Sequence, residues 1–434
     1  MKKLLLVSTA LVGVAMLSSP ASAAVKLDLG GFFRGYGVYA DNNEPANAAL
    51  PAAQASLHNF EFRRDSEIHV QGETTLDNGL TIGAMTEMKI GNGSNAIVAD
   101  ETYGYASGGW GRFNLGVEDG AAYLLQVAAP SADSNVDGLR VNIQALNPTQ
   151  ASVPAGLFPT NTLANSSTFG SGILQYAQSD FRNAERLTYL TPKFSGFQGG
   201  VSYAPQNGFT SNIGGMSTDR NSPGEVIGGA GVTTAGYNDL WEASARYDGE
   251  FQGVGINLGA GYSDSSLSQT PTTAMVSTLA GGSYFLNDGV KSYNFGANLA
   301  YQGFSLGGGY MRNETRRIAQ TLDAGDLAAN EKSGDITRDT WVVGLGYDNG
   351  PYHVGASYLD QQTNYDAIAI GANAQNIAAT KFDAQRYTVG GGYTFGPGMT
   401  FRGAVAWGTF DAPGAGAAND NDFTQVTVGT DVEF

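Results

Sequence analysis

The chain shows a persistent alternation of apolar and polar side chains with a period of two residues. The alternation is clearest at residues 425–434. One face of that segment carries Val426, Val428, Thr430, Val432 and Phe434, and the other carries Gln425, Thr427, Gly429, Asp431 and Glu433. Successive side chains of a β-strand point to opposite sides, so this pattern predicts a strand with one face toward water and one toward an apolar environment.

The same alternation recurs in two segments near the start of the chain. In the first, Leu27, Leu29, Gly31 and Phe33 alternate with Lys26, Asp28, Gly30, Phe32 and Arg34. In residues 60–70, one face carries Glu61, Arg63, Asp65, Glu67 and His69. That row is too charged for a packed interior, so we expect it to line water. Arg64 falls on the opposite face, where it snorkels, lies in a subunit interface, or marks a bulge that shifts the register.

Extended along the chain, the alternation predicts an all-β protein of sixteen strands. These are residues 25–40, 58–73, 79–90, 99–107, 110–118, 185–194, 197–204, 238–249, 252–263, 290–301, 303–313, 337–348, 351–360, 382–395, 399–409 and 422–434. Tight turns are predicted at 76–79, 107–109, 194–196, 248–249, 302–303, 348–350 and 395–398. Most of these turns contain glycine after Asp, Asn, Ser or Gln, and glycine readily adopts the positive φ of a short hairpin turn.

The connections alternate between short turns and long loops. An even number of strands with this asymmetry is typical of a transmembrane antiparallel barrel of the outer membrane, with short periplasmic turns and long extracellular loops. Aromatic residues flank several tight turns, among them Tyr189, Phe197, Tyr247, Phe304 and Tyr352. Such rings collect at membrane interfaces as a girdle, although aromatic pairs also stabilise ordinary hairpins.

Residues 1–23 have the form of a removable export signal. Lys2 and Lys3 precede a short apolar run, and residues 21–23 form a small-x-small cleavage site. We expect the mature chain, residues 24–434, to form one barrel in the cell outer membrane. Removal of the two lysines changes the formal charge from −17 to −19.

Composition excludes several other classes of protein. The chain has no cysteine and three histidines, which leaves no thiolate metal site and no recognisable histidine-based catalytic motif. We therefore expect no enzyme and no cofactor. The acidic balance argues against nucleic acid as a partner, because that binding depends on Lys and Arg. Calcium remains open at residues 419–422 and at Asp339 with Glu331, through hard oxygen ligands.

Three segments resemble the Gram-negative general (diffusion) porins. Residues 186–203 look like the strand-turn-strand that follows the third loop in that family, residues 110–116 look like the strand entering that loop, and Phe434 resembles the C-terminal assembly signal. The resemblance implies a homotrimer of barrels, each a water-filled channel for passive diffusion of small hydrophilic solutes and ions, narrowed by the third loop folded into the lumen. It also implies contact with outer-membrane lipid and lipopolysaccharide, and recognition of the last strand by the barrel-assembly machinery.

The third loop is predicted at about residues 119–180 and is the longest connection. The loop acids considered for the constriction are Glu118, Asp119, Asp133 and Asp137, and the facing wall positions are Arg34, Glu61, Arg63, Glu67, Lys89 and Arg386. Opposed acids and bases would produce a transverse field across the pore. With the negative net charge, this predicts a mild preference for cations that Asp133→Asn or Asp137→Asn would reduce.

Two alternatives to a general diffusion channel stay open at this point. A substrate-specific channel predicts saturable uptake and a continuous line of aromatics along the lumen, of which Phe32 and Tyr36 would be the start. A surface adhesin rich in β-structure predicts no ion conductance.

Overall fold

The computed structural model describes residues 25–42, 59–90, 97–143, 174–178, 184–206, 237–267, 283–321, 331–366, 380–411 and 421–434. The predicted export signal and two of the calcium candidates, Asn419 and Asp420, lie outside these residues. Within them, no helix is both long and apolar enough to cross a membrane.

Sixteen antiparallel strands form one closed barrel in the described part of the chain. They are β1 Lys26–Asn42, β2 Phe60–Thr75, β3 Thr81–Ile90, β4 Ile97–Gly108, β5 Gly111–Glu118, β6 Ala184–Leu190, β7 Phe197–Gln206, β8 Tyr237–Phe251, β9 Val254–Leu267, β10 Ser283–Tyr301, β11 Phe304–Thr321, β12 Glu331–Asn349, β13 Tyr352–Tyr365, β14 Thr380–Gly396, β15 Met399–Asp411 and β16 Asn421–Glu433. Each strand pairs with its neighbours in sequence, and β1 pairs with β16. The prediction of a sixteen-stranded barrel is confirmed.

The barrel closes between the first and last strands. β1 and β16 pair from Phe32 opposite Glu433 to Asn42 opposite Phe423. The terminal Phe434 extends the ladder, because its backbone exchanges two hydrogen bonds of 3.0 and 3.1 Å with Gly31. A closed sheet leaves no unpaired edge, which is the condition for placing strands in hydrocarbon.

The alternation seen in the sequence separates an inner from an outer face. In β16, Val428 lies outside with 48 % of its surface exposed, whereas the neighbouring Thr427 lies inside and is buried. Arg64 lies outside as its parity indicates. The pairing of β1 with β2 runs without a register shift, so a bulge there does not explain its position.

Two bands of aromatic side chains encircle much of the outer face. The band near the short turns includes the pairs Phe113 with Tyr189, Phe197 with Tyr247, Phe304 with Tyr347, and Tyr352 with Tyr393. The band nearer the loops includes Tyr203 with Trp241, Tyr310 with Trp341, and Tyr358 with Tyr387. The apolar zone between two such girdles is the signature of a barrel that spans a bilayer.

The tight turns follow the predicted glycines with one correction. In the turn between β8 and β9, Gln252 and Gly253 both have positive φ, 50° and 82°. Two consecutive positive φ values define the hairpin turn whose twist suits the flanking strands. The predicted turn at Asp248 and Gly249 was wrong, because Gly249 pairs with Ile256 within the ladder. An Asp-Gly step is also compatible with a strand when its neighbours continue the alternation.

The strands extend further on the loop side than the alternation indicated. β10 begins at Ser283, β11 ends at Thr321 and β12 begins at Glu331, so these strands continue six to eight residues beyond the predicted limits. In β11 and β12 the added residues include charged residues at both odd and even positions, such as Arg316 and Arg317 or Glu331 and Lys332, so alternation does not reveal them.

We expect a charge on the apolar zone to destabilise the barrel. Leu345 lies on the outer face of β12 between the aromatic residues Trp341 and Tyr347, with 57 % of its surface exposed. Leu345→Arg should lower the free energy of unfolding by about 2–4 kcal/mol, the cost of arginine near the bilayer midplane. Urea unfolding in lipid vesicles measures this, and Leu345→Ala is the control for lost side-chain volume. Equal losses in the two variants would contradict a lipid-facing position.

Candidate functional site: the lumen and the third loop

The loop between β5 and β6 lies inside the barrel. Its described parts are residues 119–143 and 174–178, with two single-turn helices, α1 Ala121–Leu124 and α2 Ser134–Asp137. Ser244 of β8 donates a 2.7 Å hydrogen bond to the carbonyl oxygen of Ala121, and His353 Nε2 of β13 lies 2.9 Å from that of Ser131. The loop therefore follows the inner wall from β8 through β13 toward β16.

Inward-facing glycines allow the loop to lie directly on this wall. A Cβ added at Gly296, Gly344 or Gly355 would overlap the carbonyl oxygen of Val127, Pro130 or Ser131, respectively. The three glycines belong to β10, β12 and β13, so they form a belt beneath successive loop residues. Only glycine permits such a close approach of two backbones.

Two acids at the ends of α2, Asp133 just before it and Asp137 as its last residue, fix this part of the loop to the wall. The Asp133 carboxylate accepts hydrogen bonds from Asn135 N (3.1 Å) and from the Tyr36 hydroxyl of β1 (3.0 Å). The Asp137 carboxylate accepts from Ser357 of β13 at 2.6 Å and from the backbone N–H groups of Ala132 and Asp133 at 2.9 Å. Both carboxylates point into the wall, with 1 % of each residue exposed, and burial raises the pKa of Asp133.

A third contact ties α2 to the closing strand. Asn135 donates to the carboxylate of Asp431 in β16 at 3.0 and 3.1 Å. Asp431 also forms a salt bridge with Arg402 of β15, with 2.9 Å between Arg402 Nε and the carboxylate, and Arg402 reaches Asp133 at 3.5 Å. The loop end is thus bound to β1, β13, β15 and β16.

The returning part of the loop packs on the outgoing part. The hydroxyl of Tyr176 accepts a 3.0 Å hydrogen bond from Ala129 N, and burial raises the pKa of this phenol. Gln178 N donates to Gln126 Oε1 at 2.8 Å, and Gln178 Nε2 donates to Ser263 of β9 at 2.9 Å. These contacts make the described loop a two-layered shelf on the wall.

At the start of the loop, Glu118 and Asp119 are buried with different partners. Glu118 accepts from Asn114 at 2.9 Å. Asp119 accepts from Arg140 at 2.6 Å, and its backbone N–H donates to Glu101 of β4 at 3.2 Å. Burial alone would lower the pKa of Arg140, but the Asp119 carboxylate outweighs it and holds that pKa above its usual range.

The inner face of β1 to β4 remains open to the lumen and is densely charged. Its described inward-facing acids are Asp28, Glu61, Asp65, Glu67, Glu73, Glu87, Asp100 and Glu101, and its inward-facing bases are Lys26, Arg34, Arg63 and Lys89, with His69. Acids outnumber the permanent cations on this face, which we term the charged wall.

The predicted wall residues are engaged in ion pairs there. Arg34 contacts Asp65 at 3.1 Å and lies over the Phe32 ring at 3.8 Å, and Arg63 contacts Glu61 at 2.7 Å. Lys89 bridges Asp100 and Glu67. Most of these pairs join neighbouring strands, so acids and bases alternate around the wall that faces the lumen.

Arg386 lies elsewhere, beneath the loop on β14. It is buried, and the structure gives neither Nε nor Nη2 a hydrogen-bond partner among the residues that it describes. On the opposite side of the loop, Arg186 of β6 and Glu242 of β8 form a buried 2.7 Å ion pair. Sequence reasoning did not identify this pair, because the two residues lie 56 positions apart.

The sequence also did not predict a row of three buried phenylalanines. Phe382, Phe410 and Phe423 stack across β14, β15 and β16, with ring centroids 6.3 and 5.0 Å apart. All three are buried in an apolar cluster with Leu174 and Tyr176 of the loop. They stabilise the shelf and do not form an aromatic track along the open pore.

One calcium candidate, Asp339, has other partners. Asp339 lies on the outer face, where it accepts a hydrogen bond from Tyr310 and pairs with Arg312 at 3.3 Å. The side chain of Glu331 lies outside the described residues. A calcium site at these positions stays a prediction.

Comparison with known proteins identifies the family. The family model described as Gram-negative porin matches residues 8–413. The chain belongs to the Gram-negative porin family. It is an outer-membrane channel through which small hydrophilic solutes diffuse, and its role is transport rather than catalysis.

Solved porin structures share the fold at low sequence identity. The anion-selective porin of Comamonas acidovorans is 16 % identical, with a TM-score of 0.55 over 95 % of this chain and all of that one. OmpT of Vibrio cholerae in its trimer form is 12 % identical, with a TM-score of 0.53 over 95 % and 100 % of the two chains. OmpF of Salmonella typhi is 16 % identical, with a TM-score of 0.51 over 94 % and 98 %. A search of curated protein sequences finds no match.

We expect the glycine belt to control the width of this porin's pore. Gly344→Ala places a methyl group against the carbonyl oxygen of Pro130, so the loop must move off the wall. Overpacking of this kind costs about 1–3 kcal/mol. Single-channel recordings should show altered conductance and more frequent current fluctuations. Gly255→Ala is the matched control, because its added Cβ meets Ala300 at an ordinary 3.6 Å. Identical recordings for both variants would show that the belt does not position the loop.

Proposed function

We propose that this outer-membrane diffusion channel is mildly selective for cations, with the narrowest passage between the charged wall and the third loop. The observation that carries the proposal is the excess of acids on the charged wall. Side chains in a narrow lumen act on passing ions through little solvent, so the local charge biases permeation. The proposal gives the chain no catalytic role.

Two groups of acids have different roles in this proposal. Glu67 and Glu87 lie on the charged wall and contribute to the local potential. Asp133 and Asp137, which the sequence assigned to the constriction, have carboxylates turned into the wall and satisfied there. Their geometry supports anchoring of the loop, and through it the shape of the passage.

Ion selectivity should respond more to removal of a charge from the charged wall than to removal of the charge of Asp133 or Asp137, which hold the loop. Glu67→Gln keeps an oxygen next to His69 Nε2 and removes one charge from the wall. It should lower the permeability ratio of K⁺ to Cl⁻ about fourfold, because a unit charge acting through water at about 10 Å changes the permeation of each ion about twofold and in opposite directions. Asp133→Asn and Asp137→Asn should change it less. Reversal potentials in asymmetric KCl measure all three, and a wild-type potential that favours chloride would refute cation preference.

We propose a homotrimer joined through the outer face of β2 to β4. On this face the described outward-facing residues are small or polar at many positions, including Ser66, Gly72, Thr74, Ala84, Thr86, Thr102, Gly104 and Ala106. The outer face of β8 to β15 instead carries large apolar and aromatic side chains. Arg64 also belongs to the first face, and an arginine there suits a protein contact better than hydrocarbon. The trimer form of the similar OmpT from Vibrio cholerae supports the same stoichiometry.

A bulky residue in this face should dissociate the trimer. Thr86→Trp should convert a channel with three equal closing steps in planar bilayers into one with single steps. Val343→Trp is the control, because Val343 lies on the apolar zone of β12 with 49 % of its surface exposed. Three-step closure retained by Thr86→Trp would place the interface elsewhere.

The remaining partners are proposed from the chain ends and the outer face. Export by a cleaved signal at residues 1–23 and contact with membrane lipid and lipopolysaccharide accord with an outer-membrane barrel. Phe434 closes the barrel at its rim with half of its surface exposed. This position supports recognition of the last strand by the assembly machinery during insertion.

A further inference from the structure

The charged wall brings an imidazole and two carboxylates together near the start of the third loop. Glu67 and His69 are two residues apart on β2, so both face the lumen. Glu87 lies directly opposite His69 in the ladder with β3. The next strand continues this row, since Glu101 lies opposite Glu87, and Asp119 N of the loop donates to Glu101.

The three groups have the spacing of a metal site. One ligand atom from each of Glu67, His69 and Glu87 lies within 4.8 Å of the other two. Ligands bound tetrahedrally to zinc at about 2.1 Å lie about 3.4 Å apart. Glu67 Oε2 and His69 Nε2 are already 3.1 Å apart, so the carboxylate of Glu87 alone has to move by rotation of its side chain.

The surrounding charges leave these ligands usable. The other oxygen of Glu67, Oε1, lies 3.5 Å from Lys89, so the Lys89 contact does not occupy the atom that faces His69. Among the described residues, Glu87 takes part in neither a hydrogen bond nor a salt bridge that the structure records. Glu101 places a further carboxyl group beside it. A divalent cation would offset this local excess.

We propose that Glu67, His69 and Glu87 form a binding site for a divalent transition-metal ion of the zinc class on the pore wall. An imidazole with carboxylates suits zinc, copper or nickel, whereas calcium and magnesium prefer oxygen ligands alone. The site lies in the lumen and rests on the proposed passage along the charged wall. A bound ion narrows that passage and neutralises part of its negative charge, so it reduces monovalent cation current.

Conductance in planar bilayers tests the site with zinc as the probe. Zn²⁺ should reduce the wild-type current saturably. Mg²⁺ at equal concentration should reduce the current only as far as non-specific screening of the wall charges does. His69→Ala and Glu87→Gln should each raise the half-blocking Zn²⁺ concentration by about 10-fold or more. Removing a residue that only orients a metal ligand already costs about 10-fold in affinity, and removing the ligand itself should cost at least as much. Glu61→Gln is the matched control, since it removes an inward-facing acid from the same strand outside the site.

Direct binding separates this proposal from the channel function. Calorimetric titration of the detergent-solubilised porin with Zn²⁺ should give one saturable site per chain that His69→Ala abolishes and Glu61→Gln retains. Metal-free conductance of each variant shows that its barrel has assembled. Equal effects of Zn²⁺ and Mg²⁺, or zinc binding unchanged by His69→Ala, would overturn the site and leave the open channel intact. Loss of cation selectivity with retained zinc binding would instead contradict only the proposed preference.

Discussion

The structure depends on the pairing of every strand in a closed ladder. Hydrocarbon offers no hydrogen-bond partners, so an open edge between β1 and β16 would leave a row of backbone groups unsatisfied. The two hydrogen bonds between Gly31 and Phe434 extend this closure to the last residue. Once the cylinder is closed, the alternation of side chains fixes a lipid-facing surface and a separate interior, and the loop can be stored in that interior.

The interior is divided into two unlike halves. From β6 to β16 the wall is covered by the loop, and its buried groups include the Arg186–Glu242 pair and the stacked phenylalanines. From β1 to β4 the wall is left open and holds the ion pairs of Arg34 and Lys89. Breaking a fully buried ion pair typically costs about 3–5 kcal/mol, whereas exposed pairs contribute about 1 kcal/mol or less. The covered half therefore serves mainly to fix the shape of the pore, and the open half determines what the pore does to ions.

Period-two alternation was enough to predict the barrel, because the bilayer imposes the same inside and outside on every strand. It placed the β16 residues Thr427 and Val428 on opposite faces. It could not reveal the aromatic band nearer the loops, because Trp241 and Trp341 lie far from the tight turns that the sequence marks. It also could not show where the third loop lies: Asp133 meets Tyr36 and Asp137 meets Ser357 only after the chain has closed. Contacts between residues 97 and 220 positions apart leave no local pattern in one sequence.

The wall grips the third loop mostly through the loop's main chain. The carbonyl oxygens of Ala121, Ala128 and Ser131 accept hydrogen bonds from the wall or lie within reach of them, and those of Val127 and Pro130 rest on glycines. Main-chain contacts of this kind do not depend on the side chains that this part of the loop carries. Substitutions in the loop can then alter the filter while its route through the cylinder is preserved, so one scaffold can acquire new permeability without being redesigned.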